Sequence, residues 1–339
     1  MIWLNRLRRE RNRFRFPPPA GFSRPRPATI LLPMDTWPLF LTRRGFLFGA
    51  GACAFSPRAL AALPGIHTRT IPSSGERIPA IGMGTWLTFD VGADSWLRDK
   101  RAEVLRTFFD LGGAVVDSSP MYGSSQKVIG YCLERIGGAP QLFAATKVWT
   151  PGRALGISQM QHSRDLWGVE RFDLMQIHNL VDWETHMDTL LDWKAEGRVR
   201  YIGVTTSHGR RHEELERIIA EHPIDFVQFT YNVLDREAEV RLLPMAAERG
   251  LAVIINRPFR GGGLFDQFQD QPLPAWAAEV DAANWAQFFL KFIISHPAVT
   301  CAIPATRRVD HMQENMGALH GHLPDARMRV RMAQYVAGL

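Results

Sequence analysis

The chain has 339 residues, with 40 Lys+Arg against 34 Asp+Glu and a net charge of +6. Residues 1–61 hold 11 Lys+Arg and 2 Asp+Glu, so residues 62–339 hold 29 against 32 and are net −3. A mildly acidic body excludes the basic stripe that binding a phosphate backbone requires, so no nucleic-acid partner is expected. Residues 1–33 carry Arg6, Arg8, Arg9, Arg11, Arg13, Arg15, Arg24 and Arg26 among several prolines. This composition reads as a disordered basic leader, or as sequence upstream of a true start at Met34.

Residues 34–61 have the parts of an export peptide. Arg43-Arg44 precede an apolar run at 45–55, and Ala59-Leu60-Ala61 supplies a small-x-small cleavage site. An apolar run of about ten residues is too short for a stable membrane span. Thr-Arg-Arg-Gly-Phe-Leu resembles a bacterial twin-arginine signal, which implies a twin-arginine translocase as partner and a periplasmic destination for an already folded protein. Gly49-Ala-Gly51-Ala-Cys-Ala54 matches a dinucleotide fingerprint, but it follows no strand and lies inside this signal.

Residues 62–339 suit one large domain. Ile71 and Ile78 straddle Ser-Ser-Gly-Glu, the pattern of a hairpin. Short apolar runs then predict strands at 81–86, 114–117, 142–147, 172–178, 199–205, 226–229, 251–256 and 300–303. Amphipathic stretches predict helices at 101–111, 125–136, 157–167, 184–196, 211–221, 236–249, 276–294 and 309–319, with one more at 325–336. Alternating strands and helices of this number predict an α/β fold, the (β/α)8 TIM barrel. The hairpin would plug its lower end, and the last helix would lie on its surface. Cys132 and Cys301 read as buried small hydrophobes rather than a disulfide. His208 and His212 lack an obvious third ligand, so no metal site is expected.

Catalytic groups of such barrels sit at the carboxyl ends of the strands. Asp117 closes VVD, Tyr122 follows it five residues later, Lys147 closes FAATK and His178 closes LMQIH. Taken singly, these residues also suit a loop cap, a rim aromatic, a surface lysine and a core imidazole.

Together they resemble the Asp–Tyr–Lys–His tetrad of the aldo-keto reductases. Gly112-Gly113, the motif from Asp117 to Gly123, and Ile303-Pro-Ala-Thr-Arg-Arg with Gln313-Glu-Asn315 extend the resemblance over nearly the whole body. The resemblance implies reduction of a small carbonyl substrate by NADP(H). Tyr122 would be the general acid, and Lys147 would lower its pKa from the ordinary value of about 10. Asp117 would hold Lys147, and His178 would orient the carbonyl. The resemblance also puts Asp117, Thr206 and Ser207 near the nicotinamide ribose or carboxamide, with Gln228 on the carboxamide. Asn256, Arg257 and Gly261 would border the pyrophosphate. Thr306, Arg307 and Arg308 would take the 2′-phosphate, favouring NADP over NAD. Gln313, Glu314 and Asn315 would face the adenine.

The chain departs from the family at several places. Ser125-Gln126 stand where a Glu is common, and Asn179 stands where a pocket Trp is common. Asn256 or Arg257 occupies the place of an aromatic stacked on the nicotinamide. Trp183 lies farther on, and Trp86 and Trp149 would line the pocket instead. Two other readings stay open: a Schiff-base aldolase or lyase using Lys147, and an NADPH-holding sensor without turnover.

Overall fold

The computed structural model describes residues 65–339, so the segments expected to be a basic leader and an export signal lie outside the described residues. An antiparallel hairpin opens the fold, with β1 (Thr68–Thr70) paired to β2 (Arg77–Pro79). The pairing lies earlier than expected. Ile71 sits in the connecting turn, where its N–H donates to the Glu76 carbonyl at 2.7 Å.

Eight parallel strands follow in sequence order: β3 (Met83–Gly84), β4 (Val115–Asp117), β5 (Phe143–Val148), β6 (Phe172–Ile177), β7 (Val199–Thr205), β8 (Phe226–Thr230), β9 (Ala252–Asn256) and β10 (Cys301–Ala302). Parallel bridges from Ile81 to Ala302 and from Gly84 to Ala305 bring the last strand back to the first. The seam depends on glycine, because a Cβ on Gly84 would stand 2.8 Å from the Ile303 carbonyl oxygen. The result is the (β/α)8 barrel.

The helices are α1 (Ser95–Asp110), α2 (Ser125–Arg135), α3 (Arg153–Trp167), α4 (Trp183–Ala195), α5 (His212–Glu221), α6 (Leu242–Glu248), α7 (Gly263–Phe268), α8 (Trp285–Ile294), α9 (Val309–Gly317) and α10 (Ala326–Ala337). Caps explain where they differ from expectation. Helix α1 starts early because Asp94 accepts from the Leu97 N–H at 2.9 Å. The single helix expected at 276–294 splits. A 3-10 turn at Ala275–Val280 ends at Asp281 (φ 47°), and Asn284 then caps α8 by accepting from Gln287. The 236–249 helix likewise breaks into a 3-10 turn, Glu237–Glu239, and α6. Helix α7 has no counterpart among the expected elements. No described helix is long and apolar enough to cross a membrane.

Strand alternation sorts side chains into two populations. Val116, Ala144, Met175, Ile202, Val204, Val227, Val253 and Ile255 join the core shared with the helices. Phe143, Ala145, Leu174, Tyr201, Phe226, Ala252 and Ile254 fill the barrel, where Ile71 and Ile78 of the hairpin join them. Residues of this second set lie two before Lys147, Gln176, Gln228 and Asn256 on their strands. An apolar floor thus carries a polar layer at the carboxyl end.

Polar groups fasten the hairpin to the floor. Glu76 Oε2 pairs with Arg200 and accepts from the Tyr201 hydroxyl at 2.6 Å, while Arg200 also reaches Asp173 at 2.6 Å. The Tyr201 hydroxyl lies 2.7 Å from Ser74 Oγ. Replacing Glu76 with Ala leaves the half-buried Arg200 with Asp173 alone and the buried Tyr201 hydroxyl without its carboxylate partner. It is expected to cost about 2–3 kcal/mol and to lower Tm by a few degrees in thermal unfolding. An unchanged Tm would show that this pair does not fasten the hairpin.

Candidate active site

The site is built on the polar layer. Asp117, Lys147 and His178 end β4, stand near the end of β5, and follow β6, and all are buried. Lys147 Nζ donates to Asp117 Oδ2 and to the Ser118 carbonyl at 2.9 Å. The other carboxylate oxygen accepts from Gln176 Nε2 at 3.0 Å and Gln228 Nε2 at 3.1 Å. Thr85 Oγ1 donates to the Asp117 backbone carbonyl at 3.0 Å. Every oxygen of Asp117 is therefore engaged.

Tyr122 enters from the loop after β4, where its N–H donates to the Ser119 carbonyl at 3.0 Å. Its ring meets His178 edge-on, with centroids 5.6 Å apart and planes at 89°. Lys147 Nζ lies 5.3 Å from the ring centre. The lysine thus shares a rim with the phenol and places two of its three N–H donors on Asp117 and Ser118. Lys147 does not set the direction in which the Tyr122 pKa is displaced. Tyr122 is partly accessible from the barrel mouth, yet the protein around it dominates. Burial first, and the Asp117 carboxylate second, push the phenol well above its ordinary value of 10.0. Burial also lowers the Lys147 pKa, against the opposing pull of Asp117. His178 is driven down to about 2 by burial and then by the Lys147 charge, so its imidazole is neutral. The site presents a protonated phenol beside a neutral imidazole.

The residues expected around a dinucleotide occupy the same carboxyl end. Thr206 is buried with an Oγ1 that has no partner, and its carbonyl accepts from Asn256 Nδ2 at 2.8 Å. Ser207 Oγ donates to Asn179 Oδ1 at 3.3 Å. Gln228 is committed to Asp117, and Asn256 also accepts from Thr230 Oγ1 at 2.7 Å. Arg257 is half-buried at φ 50°, just before Gly261 at φ 71°. Thr306 Oγ1 accepts from the Arg308 N–H at 3.2 Å, and Arg308 pairs with Asp310. Arg307 is exposed, and its carbonyl accepts from the buried Arg101 at 3.4 Å. Gln313 and Glu314 are exposed on α9, whereas Asn315 is buried.

Trp86 and Trp149 are 39% and 41% exposed on the loops after β3 and β5. Trp183 is not with them. It opens α4, donates to Glu214 Oε1 at 2.9 Å and meets His222 edge-on. Gln126 is buried and bonds Thr146, Ser163 and Trp167, tying α2 to β5 and α3. Sequence reasoning missed Gln176, Thr85, Ser119 and Arg101. Gln176 had a usable signal, since it precedes His178 by two and shares its face.

Residues 80–330 match the model of the Aldo/keto reductase family. Methylglyoxal reductase YeaE of Escherichia coli is 26% identical over 280 residues, spanning 80% of this chain and 96% of that protein. Aldo-keto reductase yakc [NADP(+)] of Schizosaccharomyces pombe is 24% identical, over 78% of this chain and 90% of its own. An aldo/keto reductase from Klebsiella pneumoniae, solved with NADP and acetate, shares the fold at a TM-score of 0.68 and 22% identity, covering 79% and 94% of the two chains. With three quarters of its length matched by the family model, the chain belongs to the aldo/keto reductase family.

Proposed function

We propose that this protein is an NADP(H)-dependent reductase of small aldehydes or ketones in which Tyr122 donates the proton. One observation carries the reading: a buried Lys147–Asp117 pair stands beside the Tyr122 phenol and the neutral His178 imidazole on one barrel rim. Family membership and the names of the relatives, one a methylglyoxal reductase and one marked NADP(+), support the same activity.

The residues present fit the nucleotide. Ser118 Oγ and Thr206 Oγ1 are buried hydroxyls without partners. Gly261 and Gly262 hold positive φ after β9, leaving backbone free of side chains. We assign Thr206, Ser207 and Gln228 to the nicotinamide end and Asn256, Arg257 and Gly261 to the pyrophosphate. Thr306 and Arg307 go to the 2′-phosphate, and Gln313 and Asn315 to the adenine end. These residues would hold NADPH, which when bound would supply the hydride for the carbonyl carbon. His178 donates a hydrogen bond to the carbonyl oxygen and sets its angle. As negative charge develops on that oxygen, Tyr122 releases its proton to it, giving the alcohol and a phenolate. The Lys147 ammonium near the ring steadies the phenolate, and Asp117 holds that ammonium in place.

A Schiff-base role for Lys147 is disfavoured, because the amine is fully buried and hydrogen-bonded to a carboxylate and a carbonyl. The residue needed for a nucleophile is here a structural cation. The sensor reading makes the opposite prediction about turnover. With methylglyoxal as the carbonyl probe, Tyr122→Phe is expected to lower NADPH-dependent kcat/KM by about 10²–10⁴-fold while NADPH binding persists. Absence of turnover in the unaltered protein, or turnover indifferent to this substitution, would overturn the reading.

We also propose that residues 34–61 export the 62–339 catalytic domain to the periplasm, because Arg43-Arg44, the apolar run and the Ala-x-Ala site occur in that order. Residues 34–64 fused to a reporter are expected to deliver it outside the cytoplasm, and Arg43-Arg44→Lys-Lys to abolish delivery. Unchanged export in the variant would remove the twin-arginine route.

A further inference from the structure

The loop between Asp117 and Tyr122 carries a second contact to the site. Ser119 is fully buried, and its Oγ lies 2.6 Å from His178 Nδ1. The Met121 N–H donates to the same Oγ at 3.2 Å. No other partner of this hydroxyl occurs among the described residues. His178 Nε2 has none either.

The hydrogen count decides which nitrogen holds the proton. A neutral imidazole has one N–H, and a serine hydroxyl has one hydrogen to donate. If Nδ1 carried the proton, Ser119 Oγ would accept from both Nδ1 and Met121. Its own hydrogen would then be buried without an acceptor, an arrangement that forfeits a hydrogen bond. If Nδ1 is bare, Ser119 donates to it, Met121 donates to Ser119, and every group on that side is satisfied. The proton then sits on Nε2, the nitrogen left without a protein partner.

We propose that Ser119 is a positioning residue that fixes His178 as the Nε2–H tautomer and turns that donor toward the carbonyl oxygen. This rests on the reductase reading above. It adds a requirement that the tetrad alone does not contain. Without the serine hydroxyl, Nδ1 has no partner from the loop. The ring is then free to exchange tautomers and to swing about χ2.

The test is nitrogen-15 NMR of the full chain, labelled at histidine, with NADP+ present and His178 assigned through His178→Gln. The unaltered protein is expected to show His178 protonated on Nε2 and bare on Nδ1. Ser119→Ala should give a mixture of tautomers, and Ser119→Thr should restore the original pattern. With methylglyoxal and NADPH, kcat should fall roughly five- to tenfold in Ser119→Ala, the effect of one neutral hydrogen bond, and recover in Ser119→Thr. A protonated Nδ1 in the unaltered protein would overturn the proposal, and so would a Ser119→Ala spectrum identical to it. The spectrum is read without turnover, so its result stands apart from the Tyr122→Phe assay that tests the reductase reading.

Discussion

The Lys147–Asp117 ion pair organises the site. Neither side chain has meaningful solvent access, at 0% and 2% exposure. Two charges removed from water are tolerable only when each finds full compensation nearby. Here Asp117 answers the lysine with one oxygen and draws Gln176 and Gln228 inward with the other. Removing either partner leaves a lone buried charge, a loss of about 3–5 kcal/mol. The same pairing sets the chemistry. Because the ammonium is engaged with Asp117, the field at Tyr122 is not that of a free cation. Burial then dominates, and the phenol keeps its proton until a stronger base forms beside it.

Stability and strain occupy opposite ends of the barrel. The floor is apolar and braced by the hairpin through Glu76, Arg200 and Tyr201. The carboxyl end holds most of the non-glycine residues at positive φ: Leu87, Asn179, Leu180, Asp182, His208, Arg211, Arg257 and Arg260. Each such backbone costs on the order of 1 kcal/mol and persists only where its surroundings enforce it. Arg211 does so for the turn after His178, donating to the carbonyls of Asn179 and Leu180 at 2.7 and 3.0 Å while Glu214 holds its guanidinium. A rigid floor thus supports a constrained rim, the division of labour expected of this fold.

Much of this arrangement was legible from residue order. Short apolar runs separated by amphipathic stretches located all eight strands, and the polar strand ends located Asp117, Lys147 and His178. The two-residue period also points to Gln176. Helix boundaries failed where a single cap decides them, at Asp94 and Asn284, since periodicity does not register one side-chain oxygen. The place of Trp183 was not legible either: it follows the left-handed Asp182 and donates to Glu214. Ser119 was invisible because its role depends on how the loop folds back against β6. The environment of Tyr122 was also not legible in the sequence. Spacing put an ammonium near a phenol, but burial and the Asp117 carboxylate set the direction of the shift.

Tyr122 stays a neutral phenol because it is buried beside the Asp117 carboxylate. This is tested most directly by following phenolate absorbance with pH in the full chain and subtracting the same titration of Tyr122→Phe. No Tyr122-dependent phenolate is expected until the pH exceeds the ordinary tyrosine value of 10.0. A phenolate that appears near neutrality and vanishes in Tyr122→Phe would contradict it.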